Sequence, residues 1–261
     1  MEAQQARDQI TRLVERTTGF PARVAEDSSL PTLGTVKMAR PSLPYHLIRY
    51  SPAARDTLDY IVSFQCGFVI RLAGVPLEKR YEIGASPRGA VEVAELVRLQ
   101  FGTKEPIRLP EMKQPAFSAQ LLGGLITQLR SIPLALRIDD WLRNQFAGLR
   151  DQQDESCRCQ LREGIAALDP RVRRAVPKQI AEASVAMNAA QAMYWAEAWE
   201  DEQAIAPYKA AGLLDEGRKL LRLWKETPGD PTHDRELIDA WGRHLGIEGW
   251  YAFVPFGQGA E

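Results

Sequence analysis

The sequence predicts an α+β protein: a small antiparallel sheet near the N-terminus packed on helices, then a mainly helical C-terminal half. Three observations lead there. Runs of β-prone residues bounded by turn residues concentrate at about residues 22–50. Apolar residues before and after them recur at the three-to-four spacing of a helix face. Beyond residue 116 the pattern is helical almost throughout, with breaks at proline and glycine.

The elements follow in order. Residues 4–18 place Ile10, Leu13 and Val14 on one helical face, and Gly19 and Pro21 end that helix. Residues 22–25, 32–38 and 45–50 read as strands, separated by Asp27-Ser28-Ser29 and Arg40-Pro41-Ser42. Ser51-Pro52 then opens a helix over 52–72, with serine at the N-cap and proline in the first helical position. Gly74 and Pro76 stop it. A short strand is expected at 77–83, a helix at 87–101, and a proline-containing loop at 102–115. Helices are expected at 117–130, 134–148, 151–167, 176–200, 204–226 and 232–245. The domain reading is 1–150 as one domain and 151–261 as a helical region, either separate or part of the same body.

Composition narrows the function classes. Lys and Arg total 33 against 34 Asp and Glu, so no broad basic surface for nucleic acid or acidic lipid is expected. The N-terminus lacks the apolar core of a secretory signal. The most apolar windows, 61–75 and 121–136, are interrupted by Arg, Gln, Gly or Pro, so no membrane span is expected. Three cysteines are too few for a disulfide framework and fit a reducing cytoplasm.

The stretch Phe64-Gln65-Cys66-Gly67-Phe68 has the spacing of a zinc-peptidase motif. Such a helix uses His-Glu-x-x-His: two histidines one turn apart bind zinc, and the glutamate is general base toward the metal-bound water. Taken with Tyr45–Tyr50 before it and Ser131-Ile132-Pro133-Leu134 through Asp139-Asp140-Trp141-Leu142 after it, the region at about 40–145 resembles the zincin metallopeptidases. Within them it resembles the bacterial ImmA/IrrE-like group. The resemblance implies an active-site helix at 52–72 and a second helix at 134–148 that supplies an acidic third ligand, from Asp139 or Asp140. It also implies that the chemistry is gone. Phe64 and Phe68 stand at the histidine positions, where phenylalanine cannot bind zinc. Gln65 stands at the glutamate and cannot take up a proton. Phe64, Gln65, Phe68 and Asp139 are then vestigial positions, with no catalytic residue, no metal and no cofactor. The plain alternative is a buried helix, since Phe64 and Phe68 are an i, i+4 pair and Ile61, Phe68 and Leu72 follow a stripe. Both readings put an apolar plug where a metal would sit.

Other candidates carry weaker signals. His46, His233 and His244 show no ligand spacing to one another, and His46 alone is a candidate for lining a cleft. Cys157-x-Cys159 has no second cysteine pair to complete a metal site. Gly123-Gly124 has no following lysine, so close helix packing explains it better than phosphate binding. Arg171, Arg173, Arg174 and Lys178 form a small basic cluster. Trp195 and Trp199 lie one turn apart and are candidates for protein interaction.

The functional expectation is therefore an inactive, cytoplasmic zincin-like protein that acts by binding a protein or peptide. The cleft candidates are Tyr45, His46, Arg49 and Asp140, with residues 45–49 as an edge for strand addition. The alternatives are a metal-dependent hydrolase with an unconventional site at His46, Gln65, Asp139 and Asp140, and a helical nucleic-acid-binding protein using 171–178.

Overall fold

A computed structural model describes residues 2–101 and 114–257. In chain order, α1 (Ala3–Thr18) leads to β1 (Ala22–Glu26), β2 (Gly34–Lys37), β3 (His46–Tyr50) and α2 (Leu58–Ala73). Next come β4 (Tyr81–Ala85), α3 (Pro87–Phe101), α4 (Gln114–Gln145) and α5 (Arg150–Gly164). The chain continues through α6 (Pro170–Arg174), α7 (Lys178–Trp199), α8 (Ala206–Ala210), α9 (Leu214–Glu226), α10 (Asp234–His244) and β5 (Tyr251–Pro255). The α+β class holds, with small sheets and a largely helical C-terminal half.

Contacts divide the chain into two units, each built from separate stretches: Met1–Arg80 with Leu134–Gln160, and Tyr81–Pro133 with Leu161–Glu261. The sequence reading gives 1–150 as one domain and 151–261 as a helical region, either separate or part of the same body. The chain crosses from one unit to the other inside α4 and inside α5.

In the first unit, α1 buries Ala6, Ile10 and Val14, which repeat every four residues and face α2. A capping box between Glu2 and Gln5 opens it, and Gly19 closes it with φ at 76°, a left-handed turn that glycine adopts without a side-chain clash. The sheet has the order β1-β3-β2. It is mixed, not antiparallel throughout: β2 runs antiparallel to β3, but β1 runs parallel to it in the register Ala22↔His46. The chain reaches that arrangement by carrying β2 past β3's place and filling the gap afterwards. Ser51 caps the 3₁₀ turn at Pro52–Thr57 by accepting from Ala53 N–H, and α2 follows directly.

Helix α2 is the centre of this unit. Eight of its residues from Tyr60 to Val69 are buried, and it packs on α1, β2 and β3. Its Gly67 lies against the Ile138 side chain of α4, where a Cβ would overlap Ile138 Cγ2. Glycine here sets how closely the two helices approach.

In the second unit, α7 and α9 make the main helix pair. A Cβ on Gly217 would come within 2.7 Å of Ala189 Cβ, so small residues face each other. The expected strand at 77–83 is a 3₁₀ turn (Leu77–Lys79) followed by β4. β4 pairs antiparallel with β5, which local sequence patterning did not reveal. Gly212, at φ 69°, separates α8 from α9 within the stretch expected as one helix. Conversely, the expected break at Pro133 is absent, and α4 continues through it. Gly123 and Gly124 are not packing glycines: both are exposed, with nothing within 4 Å of the place a Cβ would take. Of the loop expected at 102–115, residues 102–113 lie outside the described residues, and 114–115 belong to α4.

By length and composition alone, Pro115–Gln145 is apolar enough to cross a membrane, with mean hydropathy 1.2 over its best window. Half of that window is buried within the protein, and a core helix meets the same criterion.

Replacing Gly67 with alanine forces α2 and α4 apart or displaces Ile138. We expect a loss of about 1–3 kcal/mol, read as a lower urea midpoint. Ile138→Ala in the same chain should recover part of that loss, because the two positions share one contact.

Candidate functional site

The motif residues on α2 point in three directions. Ile61 and Gln65 face β2: Ile61 Cγ2 would come within 2.6 Å of a Cβ on Gly34, and Gln65 Nε2 donates to the Gly34 carbonyl at 3.2 Å. Tyr60 and Gly67 face α4, through a hydrogen bond to Asp139 and the contact with Ile138. At about 100° of rotation per residue, Phe64 and Phe68 occupy the sector between those two. Both are half-buried, and their rings meet edge to face with centroids 5.3 Å apart. Tyr60 extends the row, 5.7 Å from Phe64. An aromatic pair thus floors the sector of α2 between β2 and α4.

Asp139 lies deeper, at 2% exposure. Its Oδ1 accepts from Tyr60 Oη at 2.8 Å and from Gln153 Nε2 at 3.0 Å. Cys157 Sγ is 3.5 Å from the same tyrosine oxygen. Tyr60 has one proton and gives it to Asp139, so the arrangement that satisfies all three has the thiol donating to Tyr60. Burial pushes the Asp139 carboxyl up to about 7, against the hydrogen bonds from Gln153 and Tyr60 and the charge of Arg143, which pull it down. Burial likewise holds the Tyr60 hydroxyl and the Cys157 thiol well above their ordinary values. Cys157 is therefore a buried thiol and not a nucleophile. Cys66, also buried, is pushed up to about 12.

The proposed cleft set does not converge. His46 is 5% exposed; its Nδ1 accepts from Ala39 N–H at 3.1 Å and its Nε2 meets Thr18 Oγ1 at 3.1 Å. It is a satisfied core histidine, neutral with the proton on Nε2, and burial lowers its pKa. Arg49 pairs with Asp27 at 3.0 Å. Tyr45 lies under the Arg23 guanidinium, 4.1 Å from its ring centre. Asp140 is exposed, whereas its neighbour Asp139 is buried. Strand addition at 45–49 is excluded because β3 is the central strand, bonded to β1 on one side and β2 on the other.

Among the described residues, no group of three or more His, Cys, Asp or Glu side chains is placed to hold a metal ion. Searches against protein-family models, curated proteins and solved structures return no match.

The remaining candidates are dispersed. Cys157 and Cys159 sit two residues apart on a helix, with Cys157 buried and Cys159 half-buried, so they face different ways. Trp195 is wholly buried and stacks on half-buried Trp199 at 4.8 Å, so Trp195 is core and unavailable to a partner. Arg171, Arg174 and Lys178 are exposed, but Lys178 lies 3.7 Å from Glu182. Sequence reading missed Tyr60, Gln153 and Gly34. Tyr60 had a usable signal, one turn before Phe64 on the same stripe. Gln153 and Gly34 had none.

The Asp139 pKa carries a pH dependence. Its folded value, about 7, is raised above the ordinary 3.8. The contribution of this carboxyl to stability is therefore full below about pH 4, and is lost as pH rises through 7. Asp139→Asn keeps an acceptor for Tyr60 and cannot ionise. We expect it to be more stable than the parent above pH 7, by up to a few kcal/mol. The difference should shrink as pH falls toward 5, measured by urea unfolding across that range.

Proposed function

We propose that this chain is a catalytically inactive, zincin-like binding protein that holds an apolar side chain of a protein or peptide against Phe64 and Phe68. The observation that carries the reading is the half-buried Phe64–Phe68 pair, on the sector of α2 between β2 and α4. In the zincin reading that sector would carry the two metal ligands. Two further observations support it. Asp139, the position assigned to a third ligand, does lie on α4 against α2. Gln65, at the general-base position, spends its amide on the Gly34 carbonyl.

Binding here is by side chains more than by strand addition. β2 is an edge strand, but its Gly34 carbonyl already accepts from Gln65. Ser51 N–H donates to Leu33 O, which fixes the alternation along β2 and leaves Val36 with its N–H and C=O turned outward. One outward residue anchors a peptide weakly; an aromatic pair that takes up an apolar side chain adds the larger share. We place the protein in the cytoplasm, where its three thiols stay free.

The test is selection from a random peptide display library on the intact chain, with Phe68→Asp as counter-selection. We expect enriched peptides to share an apolar anchor and to lose about tenfold or more in affinity to Phe68→Asp, since a charge there meets a desolvated contact. Enrichment that ignores Phe68→Asp would place binding elsewhere. Casein hydrolysis that appears on adding zinc and disappears in Asp139→Asn would replace the binding reading with the enzyme reading.

A further inference from the structure

Within the second unit, the end of α3 and the start of α7 enclose a shallow groove of about 480 Å³. Leu96, Leu99 and Gln100 line it from α3, and Pro177, Lys178 and Glu182 from α7. Its polar side chains are already engaged. Gln100 Nε2 donates to the Arg174 and Val176 carbonyls, at 3.1 and 3.0 Å. Lys178 lies 3.7 Å from Glu182. What the groove offers a ligand is therefore carbon, from Leu96, Leu99 and Pro177, and Leu99 is 66% exposed. The rim is basic. The two Gln100 bonds hold the end of α6 beside the groove, and α6 carries Arg171, Arg173 and Arg174. Arg171 and Arg174 are exposed and, three residues apart, share one side of that helix. Arg98 of α3 is matched by Glu95, as Lys178 is by Glu182. The three α6 arginines make no ion pair among the described residues. The carboxylate beside them, Asp169, accepts from Arg171 N–H as the α6 cap. Three arginines thus stand against one carboxylate.

We propose that this groove docks an acidic peptide segment of another protein, with an apolar side chain against Leu96, Leu99 and Pro177 and carboxylates against Arg171 and Arg174. Charge complementarity selects that occupant: the rim carries a surplus of guanidinium groups, whose planar forks match carboxylates, while the groove itself asks only for carbon. The same features disfavour the other anionic partners. A bilayer surface is flat and would leave the groove unfilled. A single-stranded nucleic acid needs aromatic faces on which its bases stack, and no aromatic side chain lines the groove. The residues and the chemistry are separate from those of the Phe64–Phe68 pair, so this inference does not rest on that reading.

The test is selection from a random peptide display library on the intact chain, counter-selected with the double variant Arg171→Glu/Arg174→Glu, and fluorescence anisotropy on the selected peptides. We expect a pool that combines acidic residues with an apolar anchor. Its peptides should lose about tenfold or more in affinity to the double variant and to Leu99→Ser, and bind Phe68→Asp undiminished. Their affinity should fall as salt is raised, because the charges meet at an exposed rim. All three substituted positions, 99, 171 and 174, are exposed, so far-UV circular dichroism should match the parent. If the charge reversal disturbs the fold, Arg171→Gln/Arg174→Gln makes the same comparison. The absence of any pool sensitive to the double variant overturns the proposal, as does a sensitive pool without acidic residues. Sensitivity to the arginines but not to Leu99→Ser overturns it too, since binding would then be charge alone. Binding of oligodeoxythymidine or of phosphatidylserine vesicles that the double variant abolishes, with no acidic peptide selected, would assign the patch to nucleic acid or to a membrane. Self-association of the parent that the double variant abolishes would assign it to a second copy of this chain.

Discussion

Helix α2 is enclosed by α1, the sheet and α4, and each polar atom it carries inward must find its partner inside the protein. Ser63 Oγ donates to its own helix at the Asp59 carbonyl, at 2.7 Å. Gln65 reaches the Gly34 carbonyl, and Tyr60 reaches Asp139. The Tyr60 N–H, in the first turn and without an intrahelical acceptor, is taken by Gln152 Oε1 from α5 at 3.0 Å. The Gln152 amide also reaches the Asp59 carboxylate, which pairs with Arg7 of α1 at 2.8 Å. One helix therefore ties α1, β2, α4 and α5 to specific places, and a shift along any of them would leave a buried group unpaired.

That arrangement commits the inward polar groups of the motif region to partners within the protein and leaves its aromatic pair half-buried. A general base needs access to water or substrate, but Gln65 is buried and committed to backbone. An acid needs a group to protonate, but Asp139 is buried among Tyr60, Gln153 and Cys157. In the sector between β2 and α4, what α2 leaves half-buried is carbon: Phe64 and Phe68, held edge to face. Aromatic surface of that kind is suited to packing against another apolar group.

The second unit is held by a different device. α7 is rich in alanine along the side that meets Gly217 of α9, which lets the helix backbones approach. Tyr194, Trp195 and Trp224 fill the adjoining space, and the Trp224 indole N–H donates to the Pro133 carbonyl at 3.1 Å. β5 closes the unit through close approach: Gly89 lies against the Trp250 backbone, and Gly242 lies against the Tyr251 ring. Trp250 Nε1 donates to Glu92 at 2.6 Å, and Tyr251 Oη to Asp239 at 2.9 Å.

Sequence by itself determined the elements whose signals are local. The α1 stripe and its glycine stop, the Ser51-Pro52 opening before α2, the three N-terminal strands and the predominance of helix after residue 116 were all legible, because period and capping act within a few residues. Tertiary structure decided the rest. Strand order is set by pairing between distant segments, so His46–Tyr50 became the centre of a sheet and His46 a core residue. Pro133 was absorbed into a continuous helix, and β5 formed because β4 was there to pair with it. The Phe64–Phe68 spacing was visible as a pattern, but only packing against β2 and α4 decided that these two rings face outward while Tyr60, four residues before, is buried. Burial is a property of the neighbours a residue acquires, and those neighbours lie tens of residues away in the chain.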